Sequence, residues 1–439
     1  MNHTEPTWLG HPKGLFVLFM TELWERFSFY GMRAILVLYL TAKTTEKFPG
    51  LEWTNAEALS FYGWYGFLVY MASLPGGYIA DRILGQKKTV FLGAALLAIG
   101  HGILAFPELW TFYLGIAFIV AGVGCLKPNI STMVGGLYAP EDIRRDRGFT
   151  IFYIGINIGA AIAPILVGYV AVQYGWHYGF ALAGLGMAVS LIWYWYGMKY
   201  LKSVGNLIKL SSSEKADLKA TKLSQIEWDR LKVLGISFLI LIVFWGAYEQ
   251  AGGLMNLYAD QKTNRMIGSF EVPTAWFQSL SAIFVILLGT FVALFWERRK
   301  RKGKQASSMF QMSIGTMIMG SGFIFMSLAA AQQAVEGKAA MYWLVAAYLF
   351  HVIGELSSSP VVLSFITKLA PARYASMVMG AYWAITGLGE KLAGMLGAWS
   401  QTVGEFEIFT GIALFCIAFA GIILLFLPRF KRLAHGADV

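Results

Sequence analysis

The chain has 439 residues, 57% of them hydrophobic and 14% charged, with a mean hydropathy of +0.58. A soluble globular chain carries about 25% charged residues, so this one has too few to cover a water-facing surface, and lipid is its expected solvent. The net charge of +10 does not point to nucleic acid, because the basic residues gather at the ends of apolar segments, as membrane topology requires.

A membrane-spanning helix needs about 20 mainly apolar residues. In chain order such windows fall at 14–41, 55–81, 87–106, 108–137, 148–173, 177–199, 232–259, 273–297, 309–332, 340–367, 374–402 and 406–427. The first is long, carries charges and continues as a membrane-length helix, so a cleavable signal peptide is not expected. Cys125 and Cys416 both lie in apolar stretches and read as packing residues, not as a disulfide or metal pair. Basic residues follow alternate helices: Arg82, Lys87 and Lys88, then Arg144, Arg145 and Arg147, then Arg298 to Lys302, then Lys368 and Arg373, and finally Arg429, Lys431 and Arg432. The positive-inside rule then predicts both termini in the cytoplasm, with the chain in a cell membrane.

The polar segment 200–231, containing Ser211-Ser-Ser-Glu-Lys215, divides the chain into six-helix halves, 1–199 and 232–439. A cytoplasmic linker between two such halves is the layout of the major facilitator fold, with substrate bound between the halves near the midplane. The junction Gly77-Tyr-Ile-Ala-Asp81-Arg82-Ile-Leu-Gly85-Gln-Lys-Lys88 resembles that superfamily's cytoplasmic signature. Its glycines would let helices approach, and Asp81 would accept hydrogen bonds at a helix end.

The first window is anomalous. Glu22, Glu25, Arg26, Tyr30 and Arg33 fall on one helical stripe. An ionisable residue in mid-membrane costs about 2.5–3.5 kcal/mol on insertion scales, so the stripe should face protein or a water-filled cavity. One reading is a static ion-pair brace. The other is an acid that gains and loses a proton as its cationic partner moves. Further charges lie at similar depth: Lys127 in Lys127-Pro128-Asn129, Glu249 after Phe244-Trp245, Glu355 four residues after His351, and Glu390-Lys391, whose adjacent side chains should find different partners. Cations in the first half (Arg26, Arg33, Lys127) and acids in the second (Glu249, Glu355) would hold a zwitterion lengthwise. Tyr30, Tyr70, Tyr153 with Asn157, Trp245 and Trp383 would line side-chain pockets.

Together these motifs resemble the proton-dependent oligopeptide transporter family. Glu22-Leu-Trp-Glu25-Arg26-Phe-Ser-Phe-Tyr30-Gly is similar to its first-helix motif, and Phe152-Tyr153-Ile-Gly-Ile-Asn157-Ile-Gly159 to its fifth-helix signature. Lys127-Pro128-Asn129, Phe244-Trp245 with Glu249-Gln250, and Gly354-Glu355 with Ser359-Pro360 extend the match over essentially the whole chain. The resemblance implies an all-α major facilitator fold of twelve transmembrane helices, without the extra helix pair of many bacterial relatives, for which the linker is too short. It implies that Arg26, Arg33 and Lys127 take a peptide carboxylate, Glu355 its amino terminus and Asn157 its backbone. Tyr30, Tyr70, Tyr153, Trp245, Ser281 and Trp383 would complete the substrate site. Glu22, Glu25, Arg26 and Glu249 would carry proton coupling, with Glu249 also near substrate. Pairs Arg33–Glu249 and Lys127–Glu355 would gate the cavity. The resemblance also implies a bacterial inner membrane as the location.

Three departures bear on substrate. Phe29 replaces a tyrosine, Tyr248 stands where many bacterial members carry a second Glu, and Gln278-Ser-Leu-Ser281-Ala282 replaces an expected Gln-Ser-x-Asn-Pro, which removes an amide. The expected function is proton-driven import of di- and tripeptides by a monomer in lipid, with protons as the coupling ion and no metal, other cofactor or nucleic acid. Rival readings are a relative that moves another small zwitterion or organic acid, a channel, and a membrane-embedded enzyme. No His-Glu-x-x-His or Gly-x-Ser-x-Gly element supports the last.

Overall fold

The computed structural model describes residues 7–139, 142–207, 223–371 and 374–437. Among them the chain is almost wholly helical, in twelve long helices: α1 (Lys13–Thr41), α2 (Asn55–Met71), α3 (Gln86–Ile103), α4 (Leu109–Gly136), α5 (Arg145–Tyr174), α6 (Trp176–Gly197), α7 (Gln225–Tyr248), α8 (Ser279–Arg301), α9 (Ser308–Glu336), α10 (Tyr342–Leu369), α11 (Ala375–Val403) and α12 (Glu405–Leu433). Their order is the order predicted. Three two-residue strand pairs are the described β structure, Thr7–Trp8 with His11–Pro12, Thr263–Asn264 with Ala339–Ala340, and Met266–Ile267 with Phe270–Glu271. Eight helical segments are long and apolar enough to cross a membrane by length and composition. α1 falls outside that set because of its interior charges, and α2 because it is only 17 residues long. The 29 residues of α1 rise about 44 Å, more than a hydrocarbon core of about 30 Å, so α1 tilts or protrudes.

The chain divides into two compact units. The first comprises Met1–Glu52 and Leu68–Lys209, the second Trp53–Phe67 and Leu210–Val439. In the first, α1 packs on α5 and α6, and α3 packs on α4 and α6. Small residues set these distances: a Cβ on Gly159 of α5 would lie 2.3 Å from the Leu23 carbonyl of α1. In the second, α9 packs on α10 and α12, and α7 packs on α11. Val233, Leu241, Met309, Met312, Phe365 and Ile423 belong to one core cluster there.

Several boundaries differ from expectation. The predicted span 55–81 is interrupted after Met71, continues as Ser73–Ile79, and ends in a π-type turn, Ala80–Leu84. Asp81 in that turn is exposed and accepts no hydrogen bond among the described residues, so the helix-end role expected of it is corrected. The glycines do not bring helices together as expected: a Cβ on Gly77 would meet nothing within 4 Å, and Gly85 instead makes room for the loop 205–207. Its φ is +79°, and a Cβ there would lie 2.7 Å from Leu207 N, while Lys87 N donates to Gly205 O at 2.9 Å. α7 begins inside the stretch read as linker. Its start is fixed by a capping box, in which Ser224 Oγ accepts from Glu227 N at 3.3 Å and Ser224 N donates to Glu227 Oε2 at 2.8 Å. Ser211–Lys215 and Arg373 lie outside the described residues. The predicted span 232–259 breaks as well: α7 ends at Tyr248, Glu249–Ala251 forms a 3₁₀ turn, and Leu254–Lys262 resumes the helix. Gly252-Gly253 is the local reason, since glycine weakens a helix by about 1 kcal/mol against alanine.

Candidate functional site

The first unit gathers the α1 charges as the stripe predicts. Glu22, Glu25, Arg26 and Arg33 are all buried. Arg26 is the hub: its Nη2 donates to Glu25 Oε1 at 2.7 Å, its Nε bonds the other oxygen of Glu25, and its Nε lies 3.2 Å from Glu22 Oε1. The Glu25 contact is the bidentate fork that guanidinium favours. Glu22 Oε2 has no hydrogen-bond partner among the described residues. Two carboxylates thus share the Arg26 guanidinium, and Lys127 lies within electrostatic range of Glu22. The Arg26 guanidinium also stands over the rings of Phe29 (5.1 Å) and Tyr30 (5.9 Å), and that of Arg33 over Tyr30 at 5.8 Å. Phe29 therefore keeps the cation–π part of a tyrosine's contribution and loses the hydroxyl.

Lys127 sits over the Tyr70 ring at 4.0 Å, joining α4 to α2. The next residue, Pro128, does not break α4, which runs unbroken through Gly136. The Gly124 carbonyl, which Pro128 cannot hydrogen-bond, faces Gly76, where a Cβ would lie 1.9 Å away. Asn129 Nδ2 donates to Cys125 O at 2.7 Å. Lys127-Pro128-Asn129 is thus a close-approach device as well as a charge. On α5, Asn157 is buried and its Nδ2 donates to Tyr153 O at 2.9 Å, which leaves Oδ1 as an acceptor. Tyr153 itself is 44% exposed.

The second unit holds its acids differently. Glu249, buried on the 3₁₀ turn, accepts from Tyr62 Oη at 3.3 Å. Glu355 of α10 accepts from Tyr248 Oη at 2.5 Å. Tyr248 is oriented by stacking on Phe244 (5.8 Å) and edge contact with Trp245 (5.5 Å). His351, one turn before Glu355, is buried against Phe323, and neither of its ring nitrogens has a partner among the described residues. Trp245 and Trp383 are half-buried on α7 and α11, and Ser281 is half-buried on α8. As expected, Glu390 and Lys391 face different neighbours. The Glu390 carboxylate abuts Gly66, while Lys391 Nζ lies 3.3 Å from the Trp64 ring centroid.

Sequence reasoning missed the tyrosine hydroxyls that meet the second-unit acids. Tyr62 carried no signal at all, and Tyr248 stood out only as a departure from pattern. It also missed how the α7 break is sealed: Ala251 O, freed by the break, accepts from Gln278 Nε2 and from Tyr348 Oη at 3.2 Å. Gly252-Gly253 was the available clue.

Comparison with known proteins places this architecture. A family model described as "POT family" matches residues 87–211 and 207–406. A di-/tripeptide transporter of Lactococcus lactis subsp. cremoris is 34% identical over 98% of this chain and 97% of the relative. An uncharacterized transporter, YclF, of Bacillus subtilis (strain 168) is 34% identical over 97% of this chain and 96% of the relative. A crystal structure of a peptide transporter POT in complex with sulfate superposes with a TM-score of 0.91 at 32% identity, covering 98% of this chain and 97% of that one. The enzyme reading falls with these matches: the chain belongs to the POT family of the major facilitator superfamily and is a multi-pass membrane transporter.

Proposed function

We propose that the protein is a proton-coupled symporter that imports di- and tripeptides by alternating access. The α1 cluster carries this reading. In it Glu22 and Glu25 share one guanidinium, and one carboxylate oxygen of Glu22 is unmet, so Glu22 is where a proton would be held. Burying an unmet polar atom costs about 1–3 kcal/mol, and a transiently occupied proton site is a physical use for that cost. The L. lactis relative, named a di-/tripeptide transporter, supports the substrate class.

In this mechanism Glu22, Glu25 and Glu249 carry coupling, with Arg26 tuning the first two. Arg33, Lys127 and Arg26 attract the peptide carboxylate, and Glu355 attracts the amino terminus. Asn157 offers Oδ1 to a peptide N–H. Tyr30, Tyr70, Tyr153, Trp245, Ser281 and Trp383 shape the remaining surface. Arg33 and Lys127 belong to the first unit, Glu249 and Glu355 to the second. Pairs Arg33–Glu249 and Lys127–Glu355 would therefore link the halves 1–199 and 232–439 and release in turn as proton and peptide bind. Only unequal interaction with the two states can drive that switch. The part of 200–231 that precedes α7 acts as the cytoplasmic linker, both termini face the cytoplasm of a bacterial cell, and the monomer is the working unit.

The test is uptake of a labelled dipeptide into proteoliposomes under an inward proton gradient. Gradient-driven accumulation, abolished by Glu22→Gln with counterflow retained, is expected. Transport of other small zwitterions or organic acids with no competition by short peptides would overturn the substrate class. Gradient-independent accumulation would overturn the coupling.

A further inference from the structure

α8 is the least buried of the eight membrane-length segments, with 22% of its most apolar window buried and a mean hydropathy of 2.3 there. Its exposed face forms, with α9 and α10, an apolar groove of about 470 Å³ lined by Phe291, Phe295, Arg299, Phe310, Ile314 and Ile318 among others. Trp296 closes the base, its Nε1 donating to Ser357 Oγ at 3.2 Å. The lining spans nine residues on each of α8 and α9, a rise of about 12 Å, against about 15 Å for one leaflet's hydrocarbon.

One end of the groove is cationic. Residues 298–304 read Arg-Arg-Lys-Arg-Lys-Gly-Lys, and of these cations only Arg301 is ion-paired among the described residues, with Glu297 at 2.5 Å. Arg299 is the one that lines the groove. Its Nε donates to Gln305 O at 2.6 Å and its guanidinium stands 5.2 Å from the Phe310 ring centroid. These contacts hold it at the groove mouth, with both Nη groups lacking a hydrogen-bond partner among the described residues. Lys431 of α12 is drawn in by the same loop, donating to Gln305 Oε1 at 3.1 Å.

We infer that this groove is a binding site for an anionic phospholipid, with an acyl chain along α8 and α9 and the headgroup phosphate on the Arg299 guanidinium. Lipid touches every exposed face of a membrane protein. What singles out this face is the coincidence of a leaflet-length groove with an oriented, unpaired guanidinium and surrounding cations, the arrangement that selects acidic headgroups.

The test is native mass spectrometry of the full-length transporter with added phosphatidylglycerol, phosphatidylcholine or glycerol phosphate. Preferential retention of phosphatidylglycerol is expected, and Arg299→Gln should reduce it about fivefold while leaving phosphatidylcholine retention and melting temperature unchanged. Arg301→Gln, which removes an equal charge outside the groove, should have little effect. Ile314→Trp should displace phosphatidylglycerol by filling the groove. Equal losses from Arg299→Gln and Arg301→Gln would overturn the site in favour of a diffuse basic surface. Equal retention of the two lipids, or glycerol phosphate binding as well as the lipid, would overturn it too.

Discussion

The two units solve the same problem, a carboxylate inside an apolar protein, in different ways. In α1 the acids meet a guanidinium on the same helix, so Glu22, Glu25 and Arg26 pair within one helix. In the second unit Glu249 and Glu355 meet tyrosine hydroxyls, from Tyr62 and Tyr248. An ion pair in a buried site is strong but costly to break, whereas a tyrosine hydroxyl orients a carboxylate through a single weaker bond. The first arrangement suits a proton that comes and goes. The second suits an acid kept ready for an incoming cation, such as an ammonium group.

Breaking the first arrangement should have the largest effect. Glu25→Ala leaves Arg26 without its bidentate partner and should destabilise the protein by about 3–5 kcal/mol, read as a lower melting temperature in detergent. A melting temperature within error of wild type would mean that Arg26 finds water or another acid. Next comes Tyr248→Phe. A hydrogen bond to a charged group is worth about 1.5–3 kcal/mol, and a substrate ammonium must compete with this one, so the KM for dipeptides should fall by about tenfold, the ratio 1.4 kcal/mol commands. N-acetylated peptides should be unaffected, and an unchanged KM for free dipeptides would remove Tyr248 from the site. Tyr62→Phe should have a smaller effect, under about 1 kcal/mol, because its contact with Glu249 is longer; proton-driven uptake at subsaturating peptide would report it.

The smallest effect belongs to an ion pair outside the membrane-spanning segments. Asp142, between α4 and α5, accepts from Arg144 at 2.7 Å. The hydrogen bonds from Arg144 hold its carboxyl down to about 2. A depressed folded-state value stabilises above the unfolded value, near 3.9, and that contribution is lost as the pH falls through about 2. Asp142→Asn should therefore leave the pH profile of uptake above pH 5 unaltered. A shifted profile would show that the contrast between buried and exposed charges has been drawn in the wrong place.

What the sequence made legible follows from what a helical repeat can report. Twelve apolar windows appear in the right order, and the period of Glu22, Glu25, Arg26 and Arg33 correctly assigns them to a buried face. Periodicity says which face is turned inward but not what meets it, so the Tyr62 and Tyr248 contacts were invisible. The linker composition masked the capping box at Ser224, since a polar helix start resembles a loop until Glu227 is paired with it. The break after Tyr248 was overridden by the apolar count, although Gly252-Gly253 lay in plain view. On α5 the Tyr153 carbonyl accepts from Asn157, a backbone role that the motif's residue types did not announce.

That break gives α7 a mechanical character. A continuous helix transmits load along its axis, because every turn is tied to the next. Here the axial ladder is interrupted at Glu249–Ala251, Gly253 leaves helical space with φ −104° and ψ −100°, and the Ala251 carbonyl is tethered sideways to Gln278 and Tyr348. A push on Leu254–Lys262 is therefore delivered laterally, to the start of α8 and the first turns of α10. The acid at the joint, Glu249, sits at the fulcrum of that lever.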